Sequence, residues 1–172
     1  MKSQIENILR QYTLLSDWFV SVLENISEED GRKTINDNSN SLEWISGHLI
    51  TGRYRNILRV GLQIEPYKHL DKFINQAIPP PNAIKFGKEN IYPNLSESRE
   101  QWIYYGKIFL DRLNSIDETS LNAEIPFTVL TGGNKVEDAL TFMAMHESFH
   151  IGQMSIIRKA LGYPAMQLTK RN

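Results

Sequence analysis

The chain has 172 residues, 41% of them hydrophobic, which is enough for one domain with a substantial core over residues 1–172. Its 19 Lys and Arg residues nearly balance 20 Asp and Glu residues, and a net charge of -1 argues against a nucleic-acid partner held by a basic surface. Cysteine is absent, which excludes disulfides, thiolate metal ligands and a sulfur nucleophile on the chain itself. Because the amino-terminal segment lacks a signal-peptide pattern and no long apolar run follows, we expect a cytoplasmic protein that does not enter a membrane.

The first half of the chain predicts two helices. Apolar residues recur three and four positions apart over residues 5–27, which is typical of an amphipathic helix. The polar stretch 28–40 predicts a loop. Asn40 and Glu43 have the spacing of a capping box, so a second helix is predicted to begin there and to end at Gly61. Its apolar residues occupy more than one side, so we expect it to be central in the domain or to contact another subunit.

The middle of the chain predicts a long loop and a third helix. Residues 62–95 contain five prolines, which exclude a long helix but leave room for a short helical turn at residues 67–77. Ser96 then has the position of a cap for a third helix, whose apolar stripe extends to Ile116. The prolines of the loop are Pro66, Pro79, Pro80, Pro81 and Pro93.

The last part of the chain predicts a second long connection and the longest helix. Residues 117–134 include a proline and two adjacent glycines, with room for a short extended piece at residues 127–130. Asn134 and Glu137 repeat the capping-box spacing, and Gly162 follows the last apolar residue of the helix. Four helices joined by one short and two long connections predict an all-α four-helix bundle with at least one crossover.

Two of the four histidines, His146 and His150, lie one turn apart in the fourth predicted helix. Positions i and i+4 share a face, so both imidazoles can reach one metal ion. A helical wheel places both histidines in the same stripe as Met143 and Ile157, which predicts that they point into the core. Buried imidazoles require partners for their nitrogens, and a shared metal ion would satisfy one nitrogen of each; carboxylates, carbonyls or waters are the alternative.

A third ligand is predicted on the second helix. His48 lies on the side that also carries Trp44 and Gly52, and metal sites in bundles are built from inward side chains of facing helices. Three histidines would leave a coordination position open, as in catalytic rather than structural sites. His69 falls in the long loop, where we expect a solvent-exposed side chain rather than a ligand.

The segment His146-Glu147-Ser148-Phe149-His150 also matches the H-E-x-x-H pattern of zinc peptidases. Residues 151–172 contain no His, Asp or Glu that could supply the third ligand of those enzymes, so this interpretation is not favoured. Glu147 lies at the margin of the buried stripe and is a candidate base or partner of a ligand, but the favoured interpretation is a side chain that faces water.

Four segments occur in order along the chain: Trp44-x-x-x-His48, His146-x-x-x-His150-x-Gly152-Gln153, Ile157-Arg158 and Leu161-Gly162. They resemble the DinB-like superfamily, and the match in element order covers nearly the whole chain. The resemblance implies a four-helix bundle of up-down-down-up topology, often dimeric, with a divalent nickel, zinc or iron ion held by His48, His146 and His150. Characterised members include transferases and isomerases that use thiols such as bacillithiol or mycothiol, and many others are uncharacterised stress-related proteins.

The leading hypothesis is a metal-dependent transferase that joins a low-molecular-weight thiol to a small electrophile. The loops at residues 62–95 and 117–134 would shape the pocket for the electrophile. Gln153 is a candidate for a bond to a ligand or to the substrate, or else a buried amide bonded to backbone. Arg55 is a candidate contact for an anionic cosubstrate, with a solvated side chain as the alternative.

Two other classes of function remain open. The protein could be a non-catalytic metal-binding or sensing protein connected with stress, or a metal-dependent hydrolase that uses bound water. A homodimer is also predicted, since the second helix has apolar residues on more than one side.

Overall fold

Six helices form the described part of the protein, which covers residues 2–68, 70 and 93–168 of a computed structural model. Four helices are long and two have five residues each, and within the described residues there is no β-strand. The predicted all-α class is therefore confirmed. The helices are α1 (Lys2–Val22), α2 (Glu28–Arg32), α3 (Leu42–Arg59), α4 (Leu95–Ser115), α5 (Glu118–Asn122) and α6 (Val136–Ala160).

Contacts of α1 fix the directions of two neighbouring helices. The hydroxyl of Tyr12 donates to the carbonyl of Leu140 at 2.7 Å, and Arg158 near the end of α6 donates to the carbonyl of Val22 at 3.1 Å. Because the contacting residues have increasing numbers along both helices, α1 and α6 are parallel. By contrast, Phe19 stacks on Trp102 with ring centroids 4.1 Å apart, while Tyr12 meets Phe109, so α1 and α4 are antiparallel.

The same reasoning places α3. Its Arg53 lies over the Trp102 ring, and Arg112 of α4 donates to the carbonyl of Val60 at 2.9 Å, so α3 and α4 are parallel. The rings of His48 and His150 contact each other, whereas Gly52 approaches Met143, so α3 and α6 are antiparallel.

The four long helices thus form an up-down-down-up bundle, as expected. Since α3 and α4 are parallel neighbours, the end of α3 and the start of α4 lie at opposite ends of the bundle, as the predicted crossover requires. Helix α3 packs against both α4 and α6 and is buried on most of its sides. Its two-sided apolar pattern is therefore explained by a central position within one chain.

The helix starts differ from the predicted capping residues. Ser41, not Asn40, caps α3 by accepting from the backbone N–H of Trp44, and the carboxylate of Glu43 accepts from Arg32. Asn94, not Ser96, caps α4 by accepting from the N–H of Glu97. These shifts of one or two residues have little effect on the packed face.

At the start of α6 the cap is Lys135, whose N–H donates to the carboxylate of Asp138, instead of the predicted Asn134 and Glu137 pair. The predicted ends are confirmed: Gly61 and Gly162 follow the C-cap residues of α3 and α6 and adopt positive φ angles of 84° and 89°. Such backbone angles suit glycine, which has no Cβ.

The connections also depart from the predictions. Helix α1 ends at Val22, before residue 27, and the predicted loop 28–40 begins with the short helix α2. No strand forms at residues 127–130, because the N–H of Val129 bonds the carbonyl of Gly133 in a local turn; an isolated bridge joins Glu124 and Lys135 instead. Most of the loop 62–95 lies outside the described residues. At the start of the predicted turn at 67–77, the N–H of Leu70 donates to the carbonyl of Tyr67 at 2.8 Å, and residues 71–77 are not described. No helix among the described residues is long and apolar enough to cross a membrane.

Candidate metal centre

Three half-buried histidines from two antiparallel helices converge on one point between α3 and α6. Nε2 of His146 lies 3.2 Å from Nε2 of His48 and 3.1 Å from Nε2 of His150. One ring nitrogen of each residue lies within 4.8 Å of the other two, and no further His, Asp or Glu joins this group among the described residues. The three positions predicted from helical spacing are therefore brought together.

The electrostatics of the cluster favour neutral imidazoles. Burial, together with the neighbouring histidines and Arg55, lowers the pKa of His48 to about 3. Burial and His150 lower the pKa of His146 to about 4, and burial also lowers the pKa of His150. Neutral imidazoles carry a free nitrogen lone pair at neutral pH, which is the form that binds metals.

The three side chains fit a divalent transition-metal ion. With metal–nitrogen bonds of about 2.0–2.1 Å in tetrahedral geometry, neighbouring ligand nitrogens lie about 3.3 Å apart. The observed separations of 3.1 and 3.2 Å are close to this value. Imidazole suits zinc, nickel and iron alike, and three such ligands leave at least one coordination position for another molecule.

Gln153 holds the ring of His150. Nδ1 of His150 donates to Oε1 of Gln153 at 2.7 Å, which leaves Nε2 of the same ring without a proton and directed at the other two histidines. Of the two interpretations of Gln153, the structure therefore agrees with a bond to a candidate ligand, His150, rather than a bond to backbone. Nδ1 of His146 is buried and has no hydrogen-bond partner among the described residues.

An aromatic side chain lies beside each histidine. The Trp44 ring stacks on His48 with centroids 5.2 Å apart, and Phe149 meets the edge of His150 at 5.3 Å. Phe142 lies 6.3 Å from the ring of His146. These three aromatic side chains form an apolar border beside the histidines.

The favoured interpretation of Glu147 is wrong: its side chain does not face water. It is fully buried and accepts two hydrogen bonds from Arg53, at 2.6 Å from Nε and 2.8 Å from Nη2. Burial raises the pKa of Glu147, while the charge and hydrogen bonds of Arg53 act in the opposite direction. The carboxylate is thus engaged with an arginine rather than aimed at the histidines.

Arg53 was missed by the sequence reasoning, which considered Arg55. A weak signal existed, since an arginine on a helix with apolar residues on several sides requires a buried acidic partner, and Glu147 is central in the facing helix. Arg55 is half-buried on α3, and its charge contributes to the low pKa of His48. His69 lies outside the described residues.

Comparisons with known proteins agree with this geometry. A sequence model described as the DinB superfamily matches residues 11–154. The structure is similar to that of YfiT from Bacillus subtilis, described as a probable metal-dependent hydrolase with an unusual four-helix bundle topology. That similarity has a TM-score of 0.65 at 14% sequence identity and covers 95% of this chain and 91% of YfiT. No curated protein matches the sequence significantly. The family match includes all three histidines, and the chain belongs to the DinB superfamily.

Proposed function

We propose that this protein is a metal-dependent enzyme that transfers a low-molecular-weight thiol to a small electrophile. The observation that carries the proposal is the convergence of the three Nε2 atoms of His48, His146 and His150 on one point. When bound there, a divalent ion would supply Lewis acidity and lower the pKa of a thiol or water, which makes a nucleophile available at neutral pH.

The side chains of the chain itself would provide position and exclusion of water. Gln153 keeps His150 in the tautomer whose Nε2 is a ligand, and the stacked ring of Trp44 restricts His48. In the transfer, the thiol loses its proton to solvent, its sulfur forms a bond to an electrophilic carbon, and the leaving group departs with the electrons of the broken bond. The apolar border formed by Trp44, Phe142 and Phe149 suits an uncharged electrophile.

The position of Glu147 favours thiol transfer over peptide hydrolysis. In H-E-x-x-H peptidases the glutamate is the general base, which requires a carboxylate that reaches the attacking water. Here that carboxylate is buried and bonded twice to Arg53. A thiol ionises much more readily than water, so its activation depends less on such a base.

The test is a transferase assay on metal-loaded protein. Purified protein is first analysed for bound metal and then incubated with monochlorobimane and each of several thiols, including bacillithiol, mycothiol and glutathione. We expect conjugation with at least one thiol and none in a His146→Ala variant. Bound metal without turnover for any thiol would contradict the transferase and favour a metal-binding or sensing protein.

A metal-dependent hydrolase is the second candidate, because the structurally similar YfiT is described in those words. The same preparations, assayed with p-nitrophenyl esters in the absence of thiol, separate the two functions. Turnover of an ester that depends on His146 but not on thiol would favour the hydrolase.

We also propose the kind of partner, the cellular compartment and the oligomeric state. Small molecules are the proposed partners, rather than nucleic acid or a membrane, and the proposed compartment is the cytoplasm. A homodimer is proposed as the oligomeric state.

A further inference from the structure

Arg53 and Glu147 form a buried ion pair next to the three histidines. Both side chains have 0% exposure, and their two hydrogen bonds measure 2.6 and 2.8 Å. Two parallel N–H···O bonds between a planar guanidinium and a carboxylate fix orientation as well as distance. The pair joins α3 to α6, the same two helices that supply the histidines.

Arg53 is itself held by the rest of the bundle. Its guanidinium carbon lies 4.1 Å from the centroid of Trp102 and 4.9 Å from that of Tyr12. Its Nη1 donates to the hydroxyl of Ser16 at 3.1 Å. Contacts with α1 and α4 therefore restrain the arginine, so that its guanidinium group has a fixed orientation towards α6.

Glu147 lies between the two candidate ligands of α6. It follows His146 directly and precedes His150 by three residues. At about 100° per residue, it points about 100° from His146 and about 60° from His150 around the helix axis. Holding its carboxylate towards the bundle interior therefore restricts the rotation of α6, from which both imidazoles project.

Small rotations of α6 are large on the scale of metal coordination. A rotation of about 10° moves an atom about 6 Å from the helix axis by about 1 Å. Metal–ligand bonds tolerate deviations of about 0.2 Å. The register of α6 against α3 thus decides whether the two ligands of α6 remain in reach of the ion shared with His48.

We propose that the Arg53–Glu147 ion pair positions α6 against α3. It sets the rotation of α6 and its position along the helix axis, so that the three histidines can share one metal ion. Neither residue touches the ion in this proposal. The inference rests on the proposed metal site and adds two residues whose role is exerted through the ligands.

A purely structural role makes a different prediction. Buried ion pairs contribute little net stability, and well-packed apolar residues can often replace both partners together without loss of folding. Such a replacement separates the stability of the bundle from the positions of its ligands. The variant Arg53→Met with Glu147→Leu is therefore decisive, and Glu147→Gln is a second variant that keeps the size of the side chain.

The experiment titrates the metal-free full chain with Co²⁺ and records both the affinity and the visible absorption spectrum. Unfolding by urea, measured without metal, reports stability in the same preparations. For the double variant we expect a folded protein that binds Co²⁺ about 10 to 100 times more weakly than wild type, with an altered spectrum. Glu147→Gln leaves the buried charge of Arg53 without a counter-charge, so we expect the same weakening together with lower stability. Co²⁺ affinity and spectrum equal to wild type in a folded variant would overturn the proposal.

Arg158→Met is the matched control. Arg158 is also a buried arginine on α6, but its Nη1 bonds the carbonyls of Val22 and Glu24, away from the histidines. We expect this variant to lose stability and to keep the Co²⁺ affinity and spectrum of wild type. An equal loss of affinity in Arg158→Met would show that lowered stability alone weakens the site and would overturn the positioning role.

A failure of the metal site itself is distinguishable from a failure of this inference. Wild-type protein that binds no Co²⁺, or binds it as well as His146→Ala, contradicts the three-histidine site and with it the positioning role. Wild-type protein that binds Co²⁺ through His146, together with a double variant that binds equally well, contradicts only the role of the ion pair.

Discussion

At the residue scale, the most informative feature is the state of the three imidazoles. Burial lowers the pKa of His48 and His146 to about 3 and about 4, so protons compete weakly for these nitrogens at neutral pH. The three rings therefore have the protonation state that binds a metal ion. Each ring also has a neighbouring aromatic side chain.

Replacement of His146 by alanine should abolish stoichiometric metal binding. Nε2 of His146 is the nitrogen that lies close to both others, so its loss leaves two ligands without their common neighbour. Elemental analysis of the purified variant checks the prediction. His69→Ala is the control, since that residue is predicted not to be a ligand, and unchanged metal content in His146→Ala would remove the assignment.

Gln153→Leu should weaken metal binding about tenfold while the helix remains intact. The substitution removes the acceptor 2.7 Å from Nδ1 of His150, so the ring loses the partner that sets its tautomer. Competition titration against a chelator measures the change. Gln153→Glu retains an acceptor oxygen and should bind the metal at least as tightly as Gln153→Leu, whereas equal affinity of Gln153→Leu and wild type would contradict the role of Gln153.

At the element scale, the short helix α2 supports the start of α4. The carboxylate of Glu28 accepts from the N–H groups of Leu95 and Ser96, at 2.8 and 3.0 Å. These donors have no partner within their own helix, because they belong to its first turn. The predicted loop 28–40 therefore contains an element that fixes the end of another helix.

Gly31→Ala should destabilise the protein by about 1–3 kcal/mol. A Cβ at this position of α2 would lie 2.6 Å from Cδ1 and 2.8 Å from Cγ of Leu95, a buried side chain that has little room to move. Gly152→Ala is the matched control: its Cβ meets nothing within 4 Å, so the gain in helix propensity should stabilise by about 0.5–1 kcal/mol. Urea unfolding of both variants tests whether the two changes in the free energy of unfolding have opposite signs.

Asp30 should make a pH-dependent contribution to stability. Hydrogen bonds from Lys33, Tyr163 and Ser27 lower its pKa to about 2, below the usual value of 3.8. Because the pKa is lower in the folded protein, the stabilisation is complete above about pH 4 and is lost as the pH falls towards 2. Asp30→Asn should therefore be less stable than wild type at pH 7 and approach it near pH 2. A difference that does not change with pH in urea unfolding would contradict this prediction.

At the scale of the whole molecule, the up-down-down-up topology places the site. Helices α3 and α6 are adjacent and antiparallel, so His48, in the first half of α3, meets the middle of α6. A simple up-down array of the same four helices would pair neighbours in a different order. The crossover between α3 and α4 is thus a condition for the candidate metal centre.

Sedimentation equilibrium should give twice the chain mass if the proposed homodimer forms. The apolar residues on several sides of α3, on which this prediction was based, are buried against α4 and α6 of the same chain, so a dimer would use other surfaces. A monomeric mass at micromolar protein concentration would contradict the dimer.

The sequence by itself determined the four long helices and the three metal-ligand candidates. Spacings of three and four residues define which side chains share a helix face, and His146 and His150 share one at any orientation of the helix. The same periodicity predicted that His48 lies on an inward side of α3. Turn residues such as Gly61 and Gly162 also act locally, and both helix ends were predicted correctly.

Only the tertiary structure decided the direction of Glu147 and its bond to Arg53. A helical wheel has no information on how many neighbours a helix has, and α6 packs against both α1 and α3, so its buried face is wider than its apolar stripe. A charged residue at the margin of that stripe is therefore buried or exposed according to the partner that the facing helix offers. Because Arg53 and Glu147 are 94 residues apart, their pairing depends on the packing of α3 against α6.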